Sequence, residues 1–337
     1  MNGTKRSSPF IASLVLAAVG VLVTSGCAEA PPAQNVSPPR DPTRIYVANE
    51  GSNTVSVIDG DTFQPIGEIE SLNHATHDLA LTRDGRKLFA TNLASGAVSV
   101  IDTPSLQTVV SVYTGKRSHV VALTNDGKHA WVANIADGTI SIVETIGYRV
   151  LGVIPVPQAM GITFSLDGQF AYVSSMNKTV SVVDVAAHQV IETIPVGTNP
   201  HFLVVGPNGY IWGTNTGQND IFVIDPKENK IIGTLEVGQS PQQITFGYKG
   251  TTGPLAYISV GGLNKVVTTL ADPKNLKVRD QIDVGEEPNG IWSNPVGSLV
   301  YVAHSKSNDL RVIDTATSQV ISTVPLGRKP IRVVVSR

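Results

Sequence analysis

One unit of about 42 residues recurs seven times between residues 44 and 337, and such a period restricts a chain to stacked or radially arranged repeats. The copies read IYVANEGSNTVSVID (45–59), LFATNLASGAVSVID (88–102), AWVANIADGTISIVE (130–144), AYVSSMNKTVSVVD (171–184), IWGTNTGQNDIFVID (211–225), AYISVGGLNKVVTTLAD (256–272) and VYVAHSKSNDLRVID (300–314). Asn49, Asn92, Asn134, Ser175, Asn215, Val260 and His304 hold equivalent positions in them.

Short β-branched runs alternate with Gly, Asn, Asp and Pro clusters, which predicts strands. In the second unit the four strands fall at 79–82, 88–91, 98–102 and 108–113. Asp84-Gly85, Asp126-Gly127, Asp167-Gly168 and Asn208-Gly209 each separate a first from a second strand, as a tight hairpin requires. A four-stranded antiparallel blade cannot bury both faces alone, so seven of them predict an all-β, seven-bladed β-propeller. The sequence begins its repeats at a second strand, near 45, and ends on an isolated first strand, 331–336. Pairing the two closes the ring and removes an open edge.

The IYVAN, WVAN and AYVSS segments, each followed by a VSVID-like run, resemble the YVTN family of β-propeller repeat proteins over residues 44–337. That resemblance implies the fold and leaves function open, because one scaffold carries many sites.

Residues 1–26 read as a signal peptide: Lys5 and Arg6, an apolar stretch over 10–23, then Thr24-Ser25-Gly26. Cys27 is the only cysteine, and Ser25-Gly26-Cys27 resembles a bacterial lipobox, with Thr24 departing from the usual aliphatic residue. The resemblance implies lipidation at Cys27, and Ala28, where inner-membrane retention often places aspartate, implies the outer membrane. Residues 27–43 carry Pro31, Pro32, Pro38, Pro39 and Pro42. They predict an extended tether reaching on the order of 45 Å. The expected organisation is a signal peptide, a tether and a propeller over 44–337, on the periplasmic side of a bacterial envelope.

With Lys5 and Arg6 removed, 23 basic residues face 27 acidic ones, a net charge of −4. No basic stripe marks a nucleic-acid surface. The membrane is expected as a partner through the lipid anchor alone. Carboxylates at one repeat position, Asp59, Asp102, Asp184, Asp225 and Asp314, read as turn chemistry. No G-x-S-x-G, Walker loop or H-E-x-x-H is present, so the reading leans away from an enzyme.

In a propeller, loops from fourth to first strands share one face, here called the top, with loops from second to third strands. His77, His119 and His201 share one register, eight residues before Gly85, Gly127 and Gly209. The other ring members are Met160, Gln242, Asn289 and Ile331. Seven positions filled at the overall frequency of histidine would hold about 0.15 of them. His74 and His304 are expected in top-face loops, and His129 and His188 towards the bottom. Two irregular units stand apart, with a lengthened hairpin at 247–254 and Gly261-Gly262 in a top loop.

Three converging imidazoles would suit a transition metal; equally, each could satisfy loop carbonyls or pack between blades. The histidines are also similar in place to the residue opening an inner strand in the haem d1 propeller of cytochrome cd1 nitrite reductases. That likeness implies an iron ligand among them, with Lys116 and Arg117, and Arg328 and Lys329 with Arg332, as top-face cations for the haem carboxylates; equally, these cations could form an ordinary solvated rim. The absence of C-x-x-C-H excludes covalent c-type haem. Three functions are therefore expected: a top-face binding protein for a protein or small molecule, a metal or haem d1 protein, or a lyase or hydrolase using His304 or His201 as base.

Overall fold

The computed structural model describes residues 43–336, so Cys27, the signal peptide and nearly all of the tether lie outside the described residues. Within them, 28 strands form seven four-stranded antiparallel sheets. The expected seven-bladed propeller is the fold. Blade 1 runs outwards as Pro330–Val335, Arg44–Asn49, Thr54–Asp59 and Pro65–Glu70, with Tyr46 opposite both Val334 and Val57. The C-terminal strand thus completes the N-terminal blade.

The innermost strands of blades 2 to 7 are Thr76–Leu81, Ser118–Leu123, Ala159–Phe164, Pro200–Val205, Pro241–Tyr248 and Pro288–Ser293. Together with Pro330–Val335 they form a closed wall around a central channel. Second and third strands are buried on both faces and pack blade to blade. Tyr46, Val55 and Val57 of blade 1, for example, form one cluster with Leu79, Leu88 and Ile101 of blade 2. Each such buried aliphatic side chain contributes about 1.5–3 kcal/mol. Outer strands, such as Gln107–Tyr113, half-bury alternate residues and expose the others.

The hairpin signals held for a backbone reason: Gly85, Gly127, Gly168 and Gly209 have φ of 70°, 71°, 73° and 82°. Asp84 Oδ1 accepts from Arg86 N at 3.0 Å beside the first of them. The recurring carboxylates close the turns after third strands, as where Asp59 Oδ1 accepts from Thr62 N at 2.8 Å. Gly262 serves a close backbone approach, since an added Cβ would stand 2.7 Å from Gln239 O.

Two repeating devices carried no sequence signal. Each innermost strand opens on a β-bulge. In blade 2, Thr76 pairs with Asn92 and Leu79 with Ala90, which leaves His77 and Asp78 opposite Thr91 alone. The bulge suspends strict alternation, so consecutive side chains line the channel. Four of these bulges are tied by a hydroxyl: Thr91 Oγ1 accepts from Asp78 N at 2.9 Å and donates to His119 O of the next blade at 2.7 Å. Ser174, Thr214 and Ser259 do the same between later blades.

Ala75, Arg117, Gln158, Asn199, Ser240, Glu287 and Lys329, each two residues before the ring position, all adopt positive φ. Their carbonyls accept from top-loop amides, as in Ile135 N to Arg117 O at 3.2 Å and Glu50 N to Lys329 O at 2.9 Å. The strained residue is thereby held in place and sets the direction of the side chain that follows.

Candidate functional site at the central funnel

These devices place the ring residues in one tier at the top of the channel. His77, His119, His201, Gln242, Asn289 and Ile331 line a single cavity of about 70 Å³. The imidazoles stand in a row, with ring centroids 4.3 Å apart between His77 and His119 and 5.5 Å apart between His119 and His201. Among the described residues, no three His, Cys, Asp or Glu side chains are spaced to hold a metal ion.

Each ring is fixed through Nδ1. His119 Nδ1 donates to Met160 O at 3.2 Å and His201 Nδ1 to Gln242 O at 3.3 Å, both carbonyls of the next blade. A carbonyl can only accept, so the proton is on Nδ1 and the Nε2 lone pair is left free. Burial holds His119 well below the usual imidazole range, and the neighbouring His77 and His201 lower it further. Burial lowers His201 to about 4. Both are neutral Lewis bases at neutral pH.

His77 differs, because its Nδ1 meets a carboxylate, Glu50 Oε2, at 2.9 Å. Glu50 also accepts from Lys329 Nζ at 2.5 Å. Burial would raise the Glu50 carboxyl, but hydrogen bonds from His77 and Lys329 outweigh it and hold it at about 2. A carboxylate behind an imidazole fixes its tautomer and raises its basicity as a ligand. Sequence reasoning missed Glu50, whose register position is occupied by unrelated residues in other repeats.

A second tier closes the channel below the histidines. Arg332 Nε lies 2.9 Å from Asp78 Oδ1, and Arg332 Nη1 donates to Gln243 Oε1 at 2.9 Å. The guanidinium sits 5.0 Å from the Phe202 ring centroid and 4.9 Å from that of Trp292. Burial pushes Asp78 up and Arg332 down, each partly offset by the other's charge.

Arg332 is thus not a top-face cation. It occupies the ring position plus one, where the bulge turns it into the channel, and it is 7% exposed. Lys116 and Arg117 are exposed on the top loop before Ser118–Leu123. His304 is also displaced from its expected loop. It ends the strand Leu299–His304 at 0% exposure, with Nδ1 2.7 Å from Asp309 Oδ1. It fills the buried slot that Asn92 occupies in blade 2, where the amide of Asn92 donates to Ala97 O at 3.2 Å. A wholly buried side chain there cannot meet a substrate as a base. His74 is exposed in a top loop.

The family model described as YNCE-like beta-propeller matches residues 163–335, and that of the cytochrome D1 heme domain matches residues 41–163, which include His77 and His119. Similar solved structures include the periplasmic gluconolactonase PpgL of Pseudomonas aeruginosa, 19% identical with TM-score 0.73 over 88% of this chain and 99% of that one. The dihydro-heme d1 dehydrogenase NirN is 17% identical, with TM-score 0.66 over 88% and 77%. Hydrazine synthase of Kuenenia stuttgartiensis is 16% identical, with TM-score 0.68 over 76% and 88%. At these identities the likeness is one of fold. No curated protein sequence matches the chain.

Proposed function

The chain belongs to the YNCE-like β-propeller family, and on that scaffold we propose an envelope-anchored binding protein whose top-face funnel takes a metal-centred ligand through the Nε2 of His77. The observation that carries this is the set of three imidazoles in one cavity, each tied through Nδ1, with His77 alone backed by a carboxylate. A bare ion needs three or four donors around one point, and the row of rings does not offer them. A metal already held in a macrocycle of the haem d1 type would need a single imidazole from the protein, which His77 would supply.

The donor set fits that role. The cavity of about 70 Å³ is far smaller than the roughly 300–1,000 Å³ of an enclosed cofactor pocket, so the macrocycle would be held from the funnel mouth. Lys116 and Arg117 are the rim cations for its carboxylates. Bound there, the metal would supply redox chemistry or simply a handle for carriage. The match of residues 41–163 to the cytochrome D1 heme domain supports the reading.

The absorption spectrum and metal content of protein purified from its own host test it. A bound chromophore lost in His77→Ala is the expected result. Colourless protein that takes up no tetrapyrrole on reconstitution would overturn it. The anchor is proposed at Cys27, and Cys27→Ala should move the protein from the membrane to the soluble fraction. Unchanged fractionation would rule that anchor out.

A further inference from the structure

Below the waist formed by Asp78, Phe202, Gln243 and Arg332, the channel widens into a chamber of about 630 Å³ on the face opposite the histidines. The volume lies within the roughly 300–1,000 Å³ of small-molecule sites. It exists because the wall tier two residues below Asp78 is small or slender on six blades, with Ala80, Ala122, Thr163, Val204, Thr245 and Val334, while Trp292 stands alone as a large member. Phe164 and Phe246 add aromatic surface. The rim is polar, set by hairpin residues such as Arg83, Asn125 and Asn294.

The chamber walls mix apolar side chains with Asp78, Thr163, Thr245 and Ser293, and Arg332 is the cationic donor among the buried residues that line it. Arg332 lines the lower chamber and not the upper cavity. Among the described residues its side chain donates one hydrogen bond, from Nη1 to Gln243 Oε1; Nε is buried and paired with Asp78 by charge at 2.9 Å without a directed hydrogen bond, and Nη2 has no protein acceptor. An Nη2–H at the chamber wall that has no protein acceptor is free to donate to a bound ligand. Asp78 already offsets the positive charge, so an anionic ligand would meet a carboxylate as well as the guanidinium.

We infer that the lower chamber is a second binding site, for a neutral aromatic or similarly apolar molecule that presents a carbonyl oxygen to Arg332 Nη2. Its walls supply burial, Trp292 and Phe202 flank the guanidinium, and Nη2 selects for an acceptor at the leading end of the ligand. The site is separate from the top funnel, so its occupancy does not depend on His77, His119 or His201.

The probe is Prodan, a neutral naphthyl ketone whose emission shifts to the blue in apolar surroundings, titrated into the full chain. Saturable one-to-one binding is expected, with energy transfer from Trp292 that Trp292→Phe diminishes. Ala80→Phe and Ala122→Phe, on different blades, should each weaken binding by about 10-fold or more at unchanged circular dichroism. His77→Ala should leave it intact, and 2-acetonaphthone should displace the probe far better than 2-naphthoate. Absent saturation, loss of binding in His77→Ala, or indifference to both filling variants would overturn the site. Equal displacement by the naphthoate would overturn the carbonyl preference. If the filling variants fail to fold, unchanged energy transfer in Trp292→Phe overturns it instead.

Discussion

Arg332 and Asp78 meet with Nε 2.9 Å from Oδ1 at the seam where the last strand of the chain lies against the first complete blade. The pair therefore closes the ring as well as the channel. Arg332→Met should destabilise the protein by about 3–5 kcal/mol, because it leaves a buried carboxylate without its counter-ion. Adding Asp78→Leu should recover most of that loss, since an apolar pair removes both desolvation terms. Urea unfolding of the single and double variants measures this, and a double variant no more stable than Arg332→Met would contradict it.

Stability should rise with pH between about 4 and 6.5. Burial lowers His201 to about 4 and also lowers His119, so in this window the unfolded chain binds more protons than the folded one. Below the folded value the contribution is lost; for His201 it is on the order of 3 kcal/mol. Glu50, held at about 2, adds a second loss as pH falls below its unfolded range. Chemical unfolding at several pH values checks the slope, and His201→Gln should flatten it between 4 and 6.5.

Glu50→Gln should leave the fold intact and lower the affinity for a metal-centred ligand by about 10- to 100-fold, as loss of an orienting carboxylate does elsewhere. An equal effect from Lys329→Ala would instead assign the loss to the charge of the loop. Binding titrations followed by absorption separate the two.

Gly161→Ala should destabilise by about 1–3 kcal/mol through overpacking. An added Cβ would stand 2.5 Å from His201 O and 3.0 Å from Ser174 Oγ, at the hydroxyl tie between two blades. Gly152→Ala, with open space around it, is the control and should be close to neutral. Thermal denaturation of the two variants gives the comparison.

Much of this was legible because repetition supplies its own alignment. The register of His77, His119 and His201 could be read by counting back from hairpin glycines, and the three share a cavity. What stayed hidden was local backbone geometry. Strict alternation turns Asp78 and Arg332 away from the channel; the bulge turns them in. Two opposite charges at one register of otherwise mostly uncharged inner strands were the available signal.

The left-handed residues before each inner strand escaped notice for a different reason. Only Asn199 among the seven has a side chain that favours positive φ, and the others are held there by bonds between loops. Likewise His304 occupies the period of Asn49 and Asn92, and its burial follows from that slot and not from its chemistry.

The most direct measurement is a titration of the purified full chain with haem d1, followed by absorption, in wild type, His77→Ala and His119→Ala. The account expects saturable binding with an imidazole-ligated spectrum in wild type, lost in His77→Ala and retained in His119→Ala. A spectrum of unligated haem in wild type, or one that survives His77→Ala unchanged, would contradict it.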